Sequence, residues 1–319
     1  MTAYIVRRIL WGIATLVIVC ALTFLLFRVL PSANPAVLRA GRNPNPNAIA
    51  NIEKVLGLNR PLAVQFWDYM KDVVLHFNLG YSFYSDEAVR TLIAERLPAT
   101  LSLAVGAAVL WIVGGLGVGI ISGLRPGSWL DRSAMGTALV LVSAPEFWLG
   151  LVVLLLFAKD IGVVRIFPGA GSYVGLTSNP WSWFTSMLLP WFVLAAGSAA
   201  IFARLMRGGL IEAMGEDYIR TARAKGLRER KVVRQGVRSA INPITTLLAL
   251  EVSTLIGSAV LVETVFNIPG IGRLAYNAIV EGDFAVVQGA VLVAALFVIV
   301  ANIVVDIGYA YLDPRVRYS

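Results

Sequence analysis

Three acids stand inside long apolar runs: Glu146, Glu251 and Asp306. A carboxylate at the centre of a membrane helix costs about 2.5–3.5 kcal/mol on insertion scales, so each should face a bundle interior or a wet cavity. Glu251 lies nearest the middle of its run. It either lines a wet path between helices or makes an interhelical hydrogen bond while protonated. Asp306, with Asn302 and Tyr309 about a helical turn away on either side, reads more simply as a group that holds helices together, with the path as the second role. Glu146 directly follows Pro145, and its role stays open.

A second set of groups cannot lie in lipid at all. The stretch Glu216 to Arg238 (EDYIRTARAKGLRERKVVRQGVR) carries Arg220, Arg223, Lys225, Arg228, Arg230, Lys231, Arg234 and Arg238, with Arg207 just upstream, against Glu216, Asp217 and Glu229. The acids stand where a helix N-terminus prefers them, and Lys225 and Arg228 where a C-terminus prefers bases. Gly226 can close such a helix in a left-handed conformation. Tyr218, Ile219 and Ala222 form a narrow apolar ridge at helical spacing. A short helix with that ridge and a basic rim suits a groove on a soluble partner. The simpler alternative is a positive anchor that only fixes topology.

Other chemistry is excluded by what the chain lacks. The one histidine, His76, and the one cysteine, Cys20, cannot build a multi-His site, a disulfide or a Cys-based metal centre. No GxxxxGK[ST] phosphate loop occurs, so the chain does not bind ATP by that device and no cofactor is expected in it. No nucleophile elbow is present either, and the chain is not expected to be an enzyme. Hydrophobic residues make up 58%, charged residues 14% and mean hydropathy is +0.76, where a soluble domain carries about 25% charge. The net charge of +8 is no nucleic-acid signature, because the basic residues sit beside apolar spans, as the positive-inside rule requires. The chain therefore reads as an all-α integral membrane protein in contact with lipid, with no nucleic-acid partner.

Six transmembrane helices are expected to position these groups. The first occupies residues 1–30, about Ile9 to Leu30, too long for a cleaved signal segment and about the length of a span. Residues 31–96, rich in Asn and Pro, with amphipathic stretches at Asn51 to Leu58 and Leu62 to Leu75, form a small, partly helical extracytoplasmic insert. Residues 97–312 hold the five-helix core: Leu97 to Leu124, Ser133 to Ala158, Met187 to Met206, Ile241 to Phe266 and Ala285 to Leu312. Gly115, Gly119 and Gly123 have the small-xxx-small spacing that lets helices approach closely. Trp181, Trp183 and Phe184 are placed in the loop Lys159 to Ser186 as an interfacial belt. The basic loop is 207–239, and 313–319 is a tail. Arg7, Arg8, Arg125, Arg132, the large basic cluster, Arg315 and Arg317 all fall on one side if there are six spans, which puts both termini in the cytoplasm of a multi-pass plasma-membrane protein.

EDYIRTARAKGL resembles the cytoplasmic "EAA" loop of ABC-importer permeases in the form of the oligopeptide/dipeptide branch. Arg220, Thr221, Ala222 and Gly226 stand at the motif positions; the usual Glu and first Ala are missing, and the later Ile-x-Leu-Pro does not align. YIVRRIL, LGYSFYSDEAVRTLIAERLPATLSL, SAPEFWLGL, ETVFNIPGIGRLAYNAIVEGDFAVVQG and NIVVDIGYAYLDPRVRY are similar to other segments of that family, in order along the chain. The resemblance implies a type I importer permease of the first-permease kind. It implies a homologous second permease, two ATPase subunits and an extracytoplasmic peptide-binding protein as partners. The docking residues would be Asp217, Tyr218, Ile219, Arg220, Thr221, Ala222, Arg223, Ala224, Lys225, Gly226 and Leu227. Glu251 would then meet the amino end of a peptide, and the NIPGIG loop is expected to be a turn with a secondary docking role. A nickel importer permease is close to this branch and remains the alternative. A self-sufficient secondary transporter would need a coupling-ion site, and usually internal repeats, of which none is visible.

Overall fold

The computed structural model describes residues 2–29, 46–55, 59–82 and 84–312. They form twelve helices and one small hairpin: α1 (Thr2–Phe24, continued by a π-helical turn Leu25–Val29), α2 (Pro46–Val55), α3 (Leu62–His76), β1 (Tyr81–Ser82), β2 (Glu87–Ala88), α4 (Val89–Leu124), α5 (Trp129–Ser143), α6 (Glu146–Phe157), α7 (Pro180–Gly215), α8 (Asp217–Ala224), α9 (Glu229–Ala240), α10 (Asn242–Val265), α11 (Ile271–Glu281) and α12 (Phe284–Leu312). Among the described residues five helices are long and apolar enough to cross a membrane, or six if the bent pair α5–α6 is one span. The tail with Arg315 and Arg317, Pro31 and most of the Asn/Pro-rich segment lie outside the described residues.

Three spans differ from the sequence reading. The helices α4 and α7 each run 36 residues, about 54 Å at 1.5 Å per residue, against a hydrocarbon core of about 30 Å. Their polar ends project beyond the apolar runs that announce them. The helix α4 starts at Val89, inside what reads as the insert, and passes through Pro98. In α7, Pro180 occupies the first turn and the Asn179 side chain accepts hydrogen bonds from the amides of Trp181 (3.1 Å) and Ser182 (3.0 Å). This cap puts Trp181, Trp183 and Phe184 on the helix itself rather than in a loop.

The third difference is larger. The expected single span Ser133 to Ala158 is two helices bent by 116°. Ala144, the residue before Pro145, is extended (φ −82°, ψ 126°), as clash with a following proline ring demands. Pro145 then caps α6, where its missing N–H costs nothing.

The chain divides into two compact units, residues 1–97 with 273–303, and residues 98–272 with 304–319. In the first, the hairpin pairs Tyr81 with Ala88 and Ser82 with Glu87. The buried Ser82 hydroxyl donates to the Asp283 carboxylate. Phe24 meets Phe66 edge to face at 5.4 Å between centroids.

In the second unit the glycine stripe of α4 lies on α7. An added Cβ would stand 2.7 Å from the Ala199 carbonyl oxygen at Gly115, 2.6 Å from that of Ala203 at Gly119, and 3.1 Å from a Leu210 methyl at Gly123. The stripe therefore serves close packing within the chain. The start of α5 is held at Arg207 of α7, while the segment after α6 is tied by its Gly171 amide to the Phe266 carbonyl at the end of α10 (2.8 Å). The bent pair thus connects opposite ends of this unit.

Candidate functional site

The basic stretch folds as two helices around a turn. After α8, the Lys225 amide bonds the Thr221 carbonyl (3.0 Å), Gly226 takes φ +73°, and the Leu227 amide reaches back to Ala222 (3.2 Å). A left-handed residue at that place is what Gly226 supplies without Cβ strain. The chain reverses into α9. Ile219 and Val232 are 0% exposed, and with Ala222, Met214 and Leu227 they make a small core of their own. This corrects the sequence reading of the ridge. Ile219 and Ala222 are buried against Val232, Met214 and Leu227, so the ridge is covered by the chain itself. Of the expected docking residues, Asp217, Tyr218, Arg220, Thr221, Arg223, Ala224, Lys225 and Gly226 are exposed and Leu227 is half-buried.

The outer face is laced by exposed ion pairs, Arg220 to Asp217 (3.4 Å) and Arg223 to Glu229 (2.9 Å). The second pair spans the turn and holds the Glu229 carboxyl below its ordinary range, chiefly through the hydrogen bond from Arg223. The helix pair is seated on the end of α7. An added Cβ at Gly236 would touch the Met214 sulfur at 2.9 Å, and one at Gly209 would meet Ala240 at 3.3 Å.

Beside that seat lies an ion pair that the sequence reading passed over. Asp131 has only 3% of its side chain exposed. It accepts from Arg207 Nε (2.5 Å), from the second guanidinium nitrogen (2.8 Å) and from the Gly127 amide (2.8 Å). The Ser128 hydroxyl accepts from the Asp131 amide (3.2 Å), capping α5. The signal was present as Ser-x-x-Asp before an apolar run, the pattern of a helix start. Its pairing with Arg207, 76 residues away, was not.

The membrane acids are brought together in part. Glu251 Oε2 accepts from the Ser198 hydroxyl on α7 (2.5 Å). Glu146, at the start of α6, lies near Ser258 of α10 and close enough to Glu251 for their charges to interact. Asp306 is half-buried on α12 and engaged with a neighbour, as is Asn302; the Tyr309 side chain lies outside the described ones.

A fourth acid, Glu263 near the end of α10, is 0% exposed. Its Oε1 accepts from the Thr100 hydroxyl (2.7 Å), which in turn accepts from the Ile271 amide (2.8 Å). Gly270 and Gly272 press on the carboxylate so closely that added Cβ atoms would stand 2.1 Å and 3.0 Å from its atoms. The NIPGIG segment is therefore more than a flexible turn; its glycines make room for a buried carboxylate. Among the described residues no group of three His, Cys, Asp or Glu could hold a metal ion.

Two family descriptions cover almost the whole chain. Residues 115–318 match the inner membrane component of binding-protein-dependent transport systems, and residues 1–104 match the N-terminal region of such membrane components. Among relatives, the chain is 40% identical over 320 residues to a Brucella abortus protein that carries the name of a peptide transport system permease protein. It is 36% identical over 335 residues to a dipeptide transport system permease protein of Alkalihalophilus pseudofirmus, and 37% identical over 320 residues to a glutathione transport system permease protein of Salmonella choleraesuis. All of this chain and all of each relative are covered in each case. A membrane-spanning helical chain with a two-helix element seated on one end of its bundle, matched end to end in this way, belongs to the binding-protein-dependent transport system inner membrane component family.

Proposed function

We propose that this chain is the transmembrane permease of an ATP-driven importer of di- or oligopeptides, forming half of the translocation path beside a homologous second permease. The observation that carries the reading is the α8–Gly226–α9 element. It is rigid through its own core and its seat on α7, and it presents a polar, basic outer face. A rigid lever of that kind suits docking on an ATPase subunit, since the chain has no phosphate loop of its own. The contact would be made by Asp217, Tyr218, Arg220, Thr221, Arg223 and Lys225, with Ile219, Ala222 and Leu227 stiffening them from beneath. Two ATPase subunits and an extracytoplasmic binding protein complete the assembly, with both termini of this chain in the cytoplasm. Peptide as the substrate class is supported by the names of the relatives.

Glu251, held by the Ser198 hydroxyl, and Glu146 close by are the groups for the positive amino end of a peptide; Asp306 is assigned to the same path on its position alone. The test is reconstitution with the partner ATPases and binding protein. Reversing Arg220 and Lys225 to Glu together should abolish peptide uptake while membrane insertion stays normal; normal uptake would reduce the element to a charge anchor. Glu251→Gln with full uptake at every pH would remove the path role.

A further inference from the structure

The segment that follows α6 is unusual for a connection between membrane helices. The helix itself has 12 residues, about 18 Å of rise, well short of a hydrocarbon core of about 30 Å. Its last carbonyls should therefore be left in or near an apolar layer, where an unsatisfied backbone group costs several kcal/mol. They are not left unsatisfied. The Leu154 carbonyl accepts from the Ala158 amide (3.0 Å), Leu155 from Val163 (3.1 Å), Leu156 from Val164 (2.8 Å), Phe157 from both Ile166 and Phe167 (3.0 Å each), and Ala158 from Gly162 (2.7 Å). The segment folds back as a seal over the end of the helix.

The outside of this seal is aliphatic. Val163 is 81% exposed, and Ile161, Val164 and Ile166 are each more than half exposed. The bonds from Val163 and Val164 to Leu155 and Leu156 join these side chains to the exposed flank of α6, where Leu151, Leu155 and Leu156 stand. The charges are accommodated without breaking the surface. Asp160 folds against the backbone of Gly169, Arg165 Nε donates to the Gly162 carbonyl (3.2 Å), and Lys159 and Arg165 have stems long enough to carry their heads to a wet layer.

We infer that residues 159–167 lie in the membrane interface, at the boundary of headgroups and acyl chains on the side away from the coupling helices. There the segment covers lipid and completes the short α6 crossing. An aqueous loop of this composition would expose four large aliphatic side chains to water with no gain, whereas an interfacial one buries them about 5–10 Å deep. The occupant of this surface is lipid, because the surface continues the flank of a membrane helix and the amides of Gly162, Val163, Val164, Ile166 and Phe167 are already spent on the end of that helix.

Spin labels at Val163→Cys and Val164→Cys test this in the full chain in lipid nanodiscs. Leu151→Cys serves as the reference within the layer and Arg220→Cys as the aqueous one. Cys20 is 1% exposed, and labelling of the parent chain gives the blank. Both labels should collide with oxygen in preference to a water-soluble nickel chelate, raising the oxygen-to-nickel ratio above Arg220→Cys to a value between it and Leu151→Cys. A nickel accessibility equal to that of Arg220→Cys would overturn the inference, as for a loop in water or one awaiting a soluble partner. Protection from both reagents would overturn it too, since another protein would then cover the segment.

Discussion

The glycines of α4 offer a comparison in which one substitution is made on two faces of one helix. Gly→Ala removes backbone freedom from the unfolded chain and improves helix propensity, worth about 0.5–1 kcal/mol wherever the native backbone accepts it. At Gly114 an added Cβ meets nothing within 4 Å, so Ala should leave stability equal or slightly higher. At Gly119 the same Cβ would lie 2.6 Å from the Ala203 carbonyl oxygen and 2.6 Å from Met206 Cβ. Ordinary carbon contacts begin near 3.5 Å, so α4 and α7 must part by about 1 Å. Neither obstacle is the tip of a flexible side chain; one is backbone and the other is fixed to it. Overpacking of this kind costs about 1–3 kcal/mol. The propensity gain is common to both variants, so their difference isolates the clash. Gly119→Ala should be less stable than Gly114→Ala by about 1–3 kcal/mol. For a unit the size of residues 98–272, at roughly 2–4 °C per kcal/mol, that is about 2–12 °C in thermal midpoint. The assay is thermal unfolding of the two purified variants in one detergent or nanodisc. A Gly119→Ala protein as stable as Gly114→Ala would refute the close approach of α4 and α7.

Two further outcomes follow from buried carboxylates. Asp131→Ala should cost about 2–4 kcal/mol, somewhat under the full figure for a broken buried pair because Arg207 keeps 30% of its side chain in reach of water; thermal unfolding beside the exposed control Asp217→Ala checks it, and equal midpoints for the two would contradict the geometry. Glu263→Ala should loosen residues 267–272 and cost about 1–3 kcal/mol by leaving Thr100 without its acceptor, whereas Glu263→Gln, which keeps an oxygen, should cost less; hydrogen exchange across Asn267 to Gly272 reads this directly, and equal protection in both variants would sink it.

Much of the architecture was legible from residue types. A run of about twenty apolar residues spans a bilayer whatever surrounds it, because the bilayer sets the length. So five helices were located from the sequence, although α4 and α7 continue well past the apolar slab. Their extensions mix apolar and aromatic residues with charged and hydroxyl ones, so they give no continuous hydropathy signal. The bend between α5 and α6 was half legible: Pro145 marked the place, but a proline bound says only that a helix stops, not that the next departs at 116°. Gly226 was read correctly as a left-handed closure because that requirement is local. Ile219 and Ala222 were read onto the wrong surface, since periodicity finds an apolar ridge and cannot say whether the chain itself will cover it.

By itself the sequence determined the class of the molecule, the places of five membrane helices and the basic turn at Gly226. Each of these follows from local composition or from a residue's own backbone freedom. Only the tertiary structure decided which acids are gathered and by what. Glu251 lies with Ser198, Glu146 with Ser258, Asp131 with Arg207, and Glu263 with Thr100 and two glycines. These pairings join residues far apart in the chain. A carboxylate's letter is the same whether it is destined for water, for a salt bridge or for a glycine-lined pocket, and its partner is chosen only when helices pack.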